Sequence, residues 1–123
     1  KKLLREEKWL SKKKFNNLYL VGGTWRALFK LHLFQNNHPV HIIHQYSIDN
    51  NVLSKFVEKI SSFNKSKLKT VEYISKSRTP YLPYSCIILD EIMRVTNPKN
   101  IICSISGLRE GSLSIDYYKD VKE

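Results

Sequence analysis

Two stretches of this chain hold the residue types that could meet a phosphate group. Residues 18–28 read L-Y-L-V-G-G-T-W-R-A-L, so an apolar run suited to a strand enters Gly22-Gly23 and a helix opens at Thr24. Neither glycine carries a Cβ, so a ligand can approach the backbone closely there and a positive φ is allowed. A strand that ends at a helix N-terminus also turns free N–H groups and the positive end of a dipole towards an anion. Residues 101–111 repeat the theme as I-I-C-S-I-S-G-L-R-E-G, and Gly107 and Gly111 are the only other glycines in the chain. In one parallel sheet both turns would face the same crevice at the carboxyl edge, with Arg26, Arg109 and Glu110 beside them. Arg78 precedes Thr79-Pro80 at an expected helix start, where a cation opposes the dipole unless an anion is bound. That makes it a candidate phosphate contact. A lone Gly-Gly-Thr also fits a plain tight connection, since it is neither a Walker loop nor a G-x-G-x-x-G fingerprint.

The remaining chemistry-bearing residues offer less. His32, His38, His41 and His44 are close in sequence, but His41 and His44 point to opposite faces of a strand and His38 lies across a turn. The spacings of zinc sites are absent, so no metal ligands are assigned. His44 is expected as a hydrogen-bonded core or cleft residue. Asp90 and Glu91 sit mid-helix, so only one of them can point inward. No Ser/His/Asp or Cys/His pattern supplies a nucleophile or a general base.

The elements that would position these groups follow from periodicity. Residues 1–16 form a charged N-terminal helix, packed by Trp9 and ending near Lys12-Lys13-Lys14. Residues 17–123 form the domain proper. A buried strand over 18–21 leads to a helix over 24–34. Asn36-Asn37-His38-Pro39 makes a turn, and alternation over 40–48 predicts a strand. Asp49 caps a helix that buries Val52, Leu53, Phe56, Val57 and Ile60. A shorter helix carries Leu68, Val71 and Ile74. Thr79-Pro80 starts another that runs to about Val95, burying Tyr84, Ile87, Ile88, Ile92 and Val95, and Asn97-Pro98 ends it. A strand over 101–105 and a final helix over 107–118 complete the chain. Helices separate the strands, so parallel pairing through right-handed crossovers is the default.

Composition sets the direction of the partners. A net charge of +10 and a pI near 9.7 favour polyanions such as polyphosphate, nucleotides or nucleic acid. No run is long enough to span a membrane and no signal peptide is visible, so a cytoplasmic location is expected, with Cys86 and Cys103 as buried thiols.

Four segments in order resemble the exopolyphosphatase/guanosine-pentaphosphate phosphohydrolase (Ppx/GppA) family: V-G-G-T-W-R-A-L at 21–28, H-P-V-H-I-I-H-Q-Y at 38–46, R-T-P-Y-L-P-Y at 78–84 and S-I-S-G-L-R-E-G at 104–111. The resemblance implies a helix-rich α/β fold, the second actin-like (ribonuclease H-like) domain of a two-domain protein, with a small, mainly parallel sheet. It implies hydrolysis of terminal phosphoanhydrides in polyphosphate or guanosine pentaphosphate, with Mg²⁺. The family's catalytic glutamate and D-x-G-G-G-S loop lie N-terminal to these residues, so the chain alone is expected to be inactive and holds no catalytic residue or metal ligand. By the resemblance, Gly22, Gly23, Thr24 and Arg78 contact phosphate or substrate. Arg26, Arg109, Glu110 and Gly111 support the cleft. Thr79-Pro80 replaces the Ala-acidic pair common after that arginine. Expected partners are the substrate, the missing N-terminal catalytic domain and no membrane, with a homodimer among the assemblies allowed. A non-catalytic basic module that binds polyphosphate or nucleic acid is the alternative.

Overall fold

The computed structural model describes residues 6, 7, 10 and 15–120. The charged helix expected over 1–16, with Trp9 and the lysine run, lies largely outside them. Strand β1 (Asn17–Val21) passes through Gly22 into α1 (Gly23–Gln35). A long irregular stretch then reaches β2 (Ser47–Asp49), α2 (Asn50–Ser61) and the short α3 (Lys65–Lys69). A 3₁₀ turn (Thr79–Tyr81) feeds α4 (Leu82–Thr96), followed by β3 (Asn100–Ser104) and α5 (Leu108–Asp120).

The sheet order is β1-β3-β2. β1 runs parallel to β3, with Asn17 opposite Asn100 and Val21 opposite Ser104, so both strands deliver their carboxyl ends to one rim. β2 is antiparallel to β3, which makes the sheet mixed and not wholly parallel. The strand expected over 40–48 shrinks to its last residues. Gln45 adopts φ 60°, in the left-handed region, and breaks the extended run. Ile42 is exposed while Ile48 is buried, so the alternation did not mark one continuous face.

Local signals explain most of the helices. Asp49 caps α2 as expected, accepting the Asn51 N–H at 2.8 Å, and Leu53, Phe56, Val57 and Ile60 form its buried stripe. Val52, expected inside, is exposed. Asn97 ends α4 in the left-handed conformation, donating its N–H to Met93. The short helix stops at Lys69, which leaves Val71 and Ile74 in the turn that follows, half-buried against the core.

One helix face differs from expectation. α4 buries Leu82, Cys86, Leu89 and Met93, whereas Tyr84, Ile87 and Ile88 are exposed and Ile92 and Val95 half-buried. Apolar residues occur nearly all round this helix, so the hydrophobic pattern did not single out one face. Packing against α2 decided it. The core joins Leu20, Ile48, Ile101 and Cys103 of the sheet to Leu28 and Phe29 of α1 and to the stripes of α2 and α4.

Candidate functional site

The rim formed by the ends of β1 and β3 is where the two glycine turns meet. A Cβ placed on Gly107 would lie 3.5 Å from Val21 Cγ1, and Val21 leads directly into Gly22-Gly23. The two turns therefore sit side by side, and neither lies beneath solid core. Gly22 holds φ 130° and ψ 165° as the N-cap of α1, a conformation essentially restricted to glycine. Its carbonyl accepts the Arg26 N–H at 3.1 Å, which starts the helix. Gly22 has no side chain to cap this terminus, and no acidic residue lies in its first turn. The leading N–H groups of α1 are thus presented at the rim.

Arg78 arrives from the 3₁₀ turn, 55 positions along the chain. A Cβ on Gly23 would lie 3.1 Å from its Nη2 and 3.2 Å from its Cζ, so the guanidinium lies across the glycine. Arg78, Arg26 and Arg109 have no carboxylate within ion-pair distance among the described residues. A helix N-terminus and a guanidinium converge, and no described carboxylate lies within ion-pair distance of the guanidinium. That arrangement can hold an anion by charge-assisted hydrogen bonds.

The second turn is built differently. Glu110 accepts the Gly107 N–H at 2.7 Å, the return half of a capping box. That bond, first, and then a second backbone N–H and the charges of Arg109 and Arg26 hold its exposed carboxyl below the usual range. The leading amide of α5 is therefore already occupied, and the anion-facing donors come from the first turn. Gly111, in contrast, has nothing within 4 Å of an added Cβ and no close approach to explain it. Thr24 sits half-buried in the first turn of α1.

His44, absent from the assigned site, lies at the same rim. Its Nδ1 accepts the Ile105 N–H at 3.3 Å, which ties the 44–45 turn to the exit of β3. It is exposed, so it belongs to the cleft and not to the core. His32 packs instead into an aromatic cluster, with Tyr46 Oη 3.2 Å from its Nδ1 and the Phe56 ring edge-on at 4.9 Å. Among the described residues no group of His, Cys, Asp and Glu could hold a metal ion. Glu110 is the carboxylate at this rim, and it is engaged with Gly107, so these residues do not by themselves make a Mg²⁺ site. Cys86 and Cys103 are free and buried, and burial pushes their thiols up to about 12 and about 11. Asp90 turns outward to pair with Arg94 at 2.8 Å, and Glu91 is the buried member of that pair of neighbours. No described helix is long and apolar enough to cross a membrane.

A small mixed sheet between helices, with glycine turns closing the parallel pair, is part of an actin-like α/β domain. The model of the Ppx/GppA phosphatase family matches residues 1–119, and the chain belongs to that family. Its fold is similar to the crystal structure of the Aquifex aeolicus Ppx/GppA family member, at 23% identity and a TM-score of 0.73, over 97% of this chain and 40% of that one. The type II variant of the Aquifex aeolicus Ppx/GppA phosphatase matches at 20% identity and a TM-score of 0.66, over 91% and 38%. A further structure of the Aquifex aeolicus PPX-GPPA enzyme gives 20% and 0.67 over the same shares. The chain thus spans about 40% of the length of these solved relatives. No curated protein matches it.

Proposed function

We propose that this chain is the substrate-side domain of an exopolyphosphatase-like phosphohydrolase that releases terminal phosphate from polyphosphate or guanosine pentaphosphate. The observation that carries the reading is the Arg78 guanidinium lying across Gly23 at the uncapped N-terminus of α1. A phosphate tail entering this rim would take N–H donors from Gly23 and Thr24 and a bidentate contact from Arg78. Arg26 and Arg109 would offset charge around it, with Glu110 and Gly107 holding the neighbouring turn in place. In-line attack of water on a terminal phosphoryl group needs such positioning and charge neutralisation more than covalent chemistry. The base and the Mg²⁺ ligands would come from the rest of the protein.

The test is to titrate the 123-residue chain with inorganic tripolyphosphate, then to measure phosphate release when an N-terminal half bearing the D-x-G-G-G-S loop is added. Arg78→Ala is expected to weaken tripolyphosphate binding about tenfold, the loss of one charge-assisted contact. Release is expected only from the combined halves and not with Gly23→Val. Unchanged binding by Arg78→Ala would sink the reading. The +10 charge favours a second reading, a non-catalytic basic module. In that case tripolyphosphate affinity falls with salt but survives both substitutions.

A further inference from the structure

The far end of α1 holds a second site candidate. Phe34 lies eleven residues beyond Gly23, about 16 Å along a helix that rises ~1.5 Å per residue, so this region is separate from the glycine rim. Here the surface opens into a cleft of about 490 Å³, lined by Phe34 and Gln35 of α1, Lys59 of α2, Lys67 of α3 and Tyr73 of the following turn. That volume lies within the ~300–1,000 Å³ typical of small-molecule sites.

The lining combines a stacking surface with uncompensated cations. Tyr73 stacks on Phe34 with ring centroids 3.8 Å apart and planes 8° from parallel. It does so at φ 68°, a backbone region that a bulky side chain rarely adopts, yet the residue stays more than half exposed at 56%. Phe34 covers one ring face, and Tyr73 keeps more than half of its surface exposed. Lys59 Nζ reaches only the Gln35 side-chain oxygen, at 3.5 Å, and Lys67 Nζ sits 4.8 Å from the Phe63 ring centroid. Neither lysine has a carboxylate within ion-pair distance among the described residues. Glu72 also lines the cleft. Its carboxylate can accept N–H groups from the edge of a base, and it opposes a continuous polyanion.

We infer that this cleft binds a nucleoside phosphate, with the base stacked on Tyr73, its polar edge at Gln35 and Glu72, and the phosphate at Lys59 and Lys67. Flat aromatic surface accounts for a planar base, and two ammonium groups lining the same cleft account for a phosphate. The inference stands apart from the phosphohydrolase reading because it uses none of the rim residues.

The test is calorimetric titration of the 123-residue chain with guanosine and adenosine monophosphate, and separately with inorganic tripolyphosphate. Monophosphate binding is expected. Tyr73→Ala is expected to weaken it about tenfold or more, the size of a lost base–aromatic stack, while Tyr73→Phe stays within about twofold. The exposed double change Lys59→Gln with Lys67→Gln is expected to weaken binding and reduce its salt dependence. Arg78→Ala is expected to weaken tripolyphosphate binding without removing the Tyr73-dependent part of monophosphate binding, which separates this site from the rim. The inference is overturned if neither monophosphate binds, if Tyr73→Ala or the double lysine variant binds like the parent, or if tripolyphosphate binds more tightly and displaces the monophosphate.

Discussion

Gly22 and Gly23 are adjacent, yet the structure gives them different reasons to be glycine. At Gly22 the backbone demands it: an added Cβ meets only Trp25 Cδ1 at an ordinary 3.6 Å, but φ 130° strains any L side chain. Gly22→Ala is therefore expected to cost about 1–3 kcal/mol, read as a lower urea midpoint. At Gly23 the neighbour demands it. The added Cβ would press on the far end of the flexible Arg78 side chain, which can swing away. Gly23→Ala is expected to leave stability within about 0.5 kcal/mol while weakening tripolyphosphate binding. The reverse pattern would mean that Arg78 does not work through this contact. His32 provides a pH signature. Burial, and secondarily the nearby His38, lower its pKa from 6.5. Between the lowered folded value and 6.5 the unfolded chain binds more protons, so stability is complete above 6.5 and declines as pH falls through that window. Urea midpoints at pH 7.5, 6.5 and 5.5 are expected to drop for the parent and to flatten for His32→Gln. An equally steep drop in the variant would place the effect elsewhere.

Among the elements, α4 shows what periodicity can and cannot decide. The start read at Thr79-Pro80 is a 3₁₀ turn, whereas the α-helix opens at Leu82 with Tyr81 as its N-cap. Its Asn97 end was legible in the sequence because it depends on residues within a turn of the boundary. Its inward face was not, since Leu82-Cys86-Leu89-Met93 and Tyr84-Ile88-Ile92-Val95 are both apolar stripes at helical spacing. The consequence is measurable. Leu89, fully buried, is expected to cost about 2–5 kcal/mol when changed to Ala, and Ile88, at 55% exposure, about 0.5 kcal/mol or less. Equal costs at the two positions would contradict this packing. β2 makes the same point for strands. Its partner on β3 and its antiparallel direction depend on β3 residues more than fifty positions away.

Across the described residues, packing is densest between α2 and α4 and between β1 and β3. β3 lies central in the sheet, α2 packs chiefly on α4, and no described element packs closely on α5. Leu108, Leu113 and Ile115 of α5 are exposed at 88%, 71% and 59%, so these three residues bury little apolar surface. Hydrogen exchange is expected to be slowest in β3, α2 and α4 and fastest in α5, as local opening follows buried contacts. Protection of α5 equal to that of α4 would show that it is docked. The chain also spans about 40% of the length of its solved relatives.

From the sequence by itself came the glycine turns, the Asp49 and Asn97 caps and the α2 stripe, together with the segments that resemble the family. These are short-range properties, set by backbone freedom, capping chemistry and periodicity within a few residues. Tertiary structure alone decided that Gly107 lies against Val21, that Arg78 crosses Gly23, that Glu110 occupies the second turn and that Phe34, Lys59, Lys67 and Tyr73 share one cleft. Such juxtapositions join residues from separate elements. They follow from parallel pairing of β1 with β3 and from the packing of α2 and α4, and no local pattern encodes either.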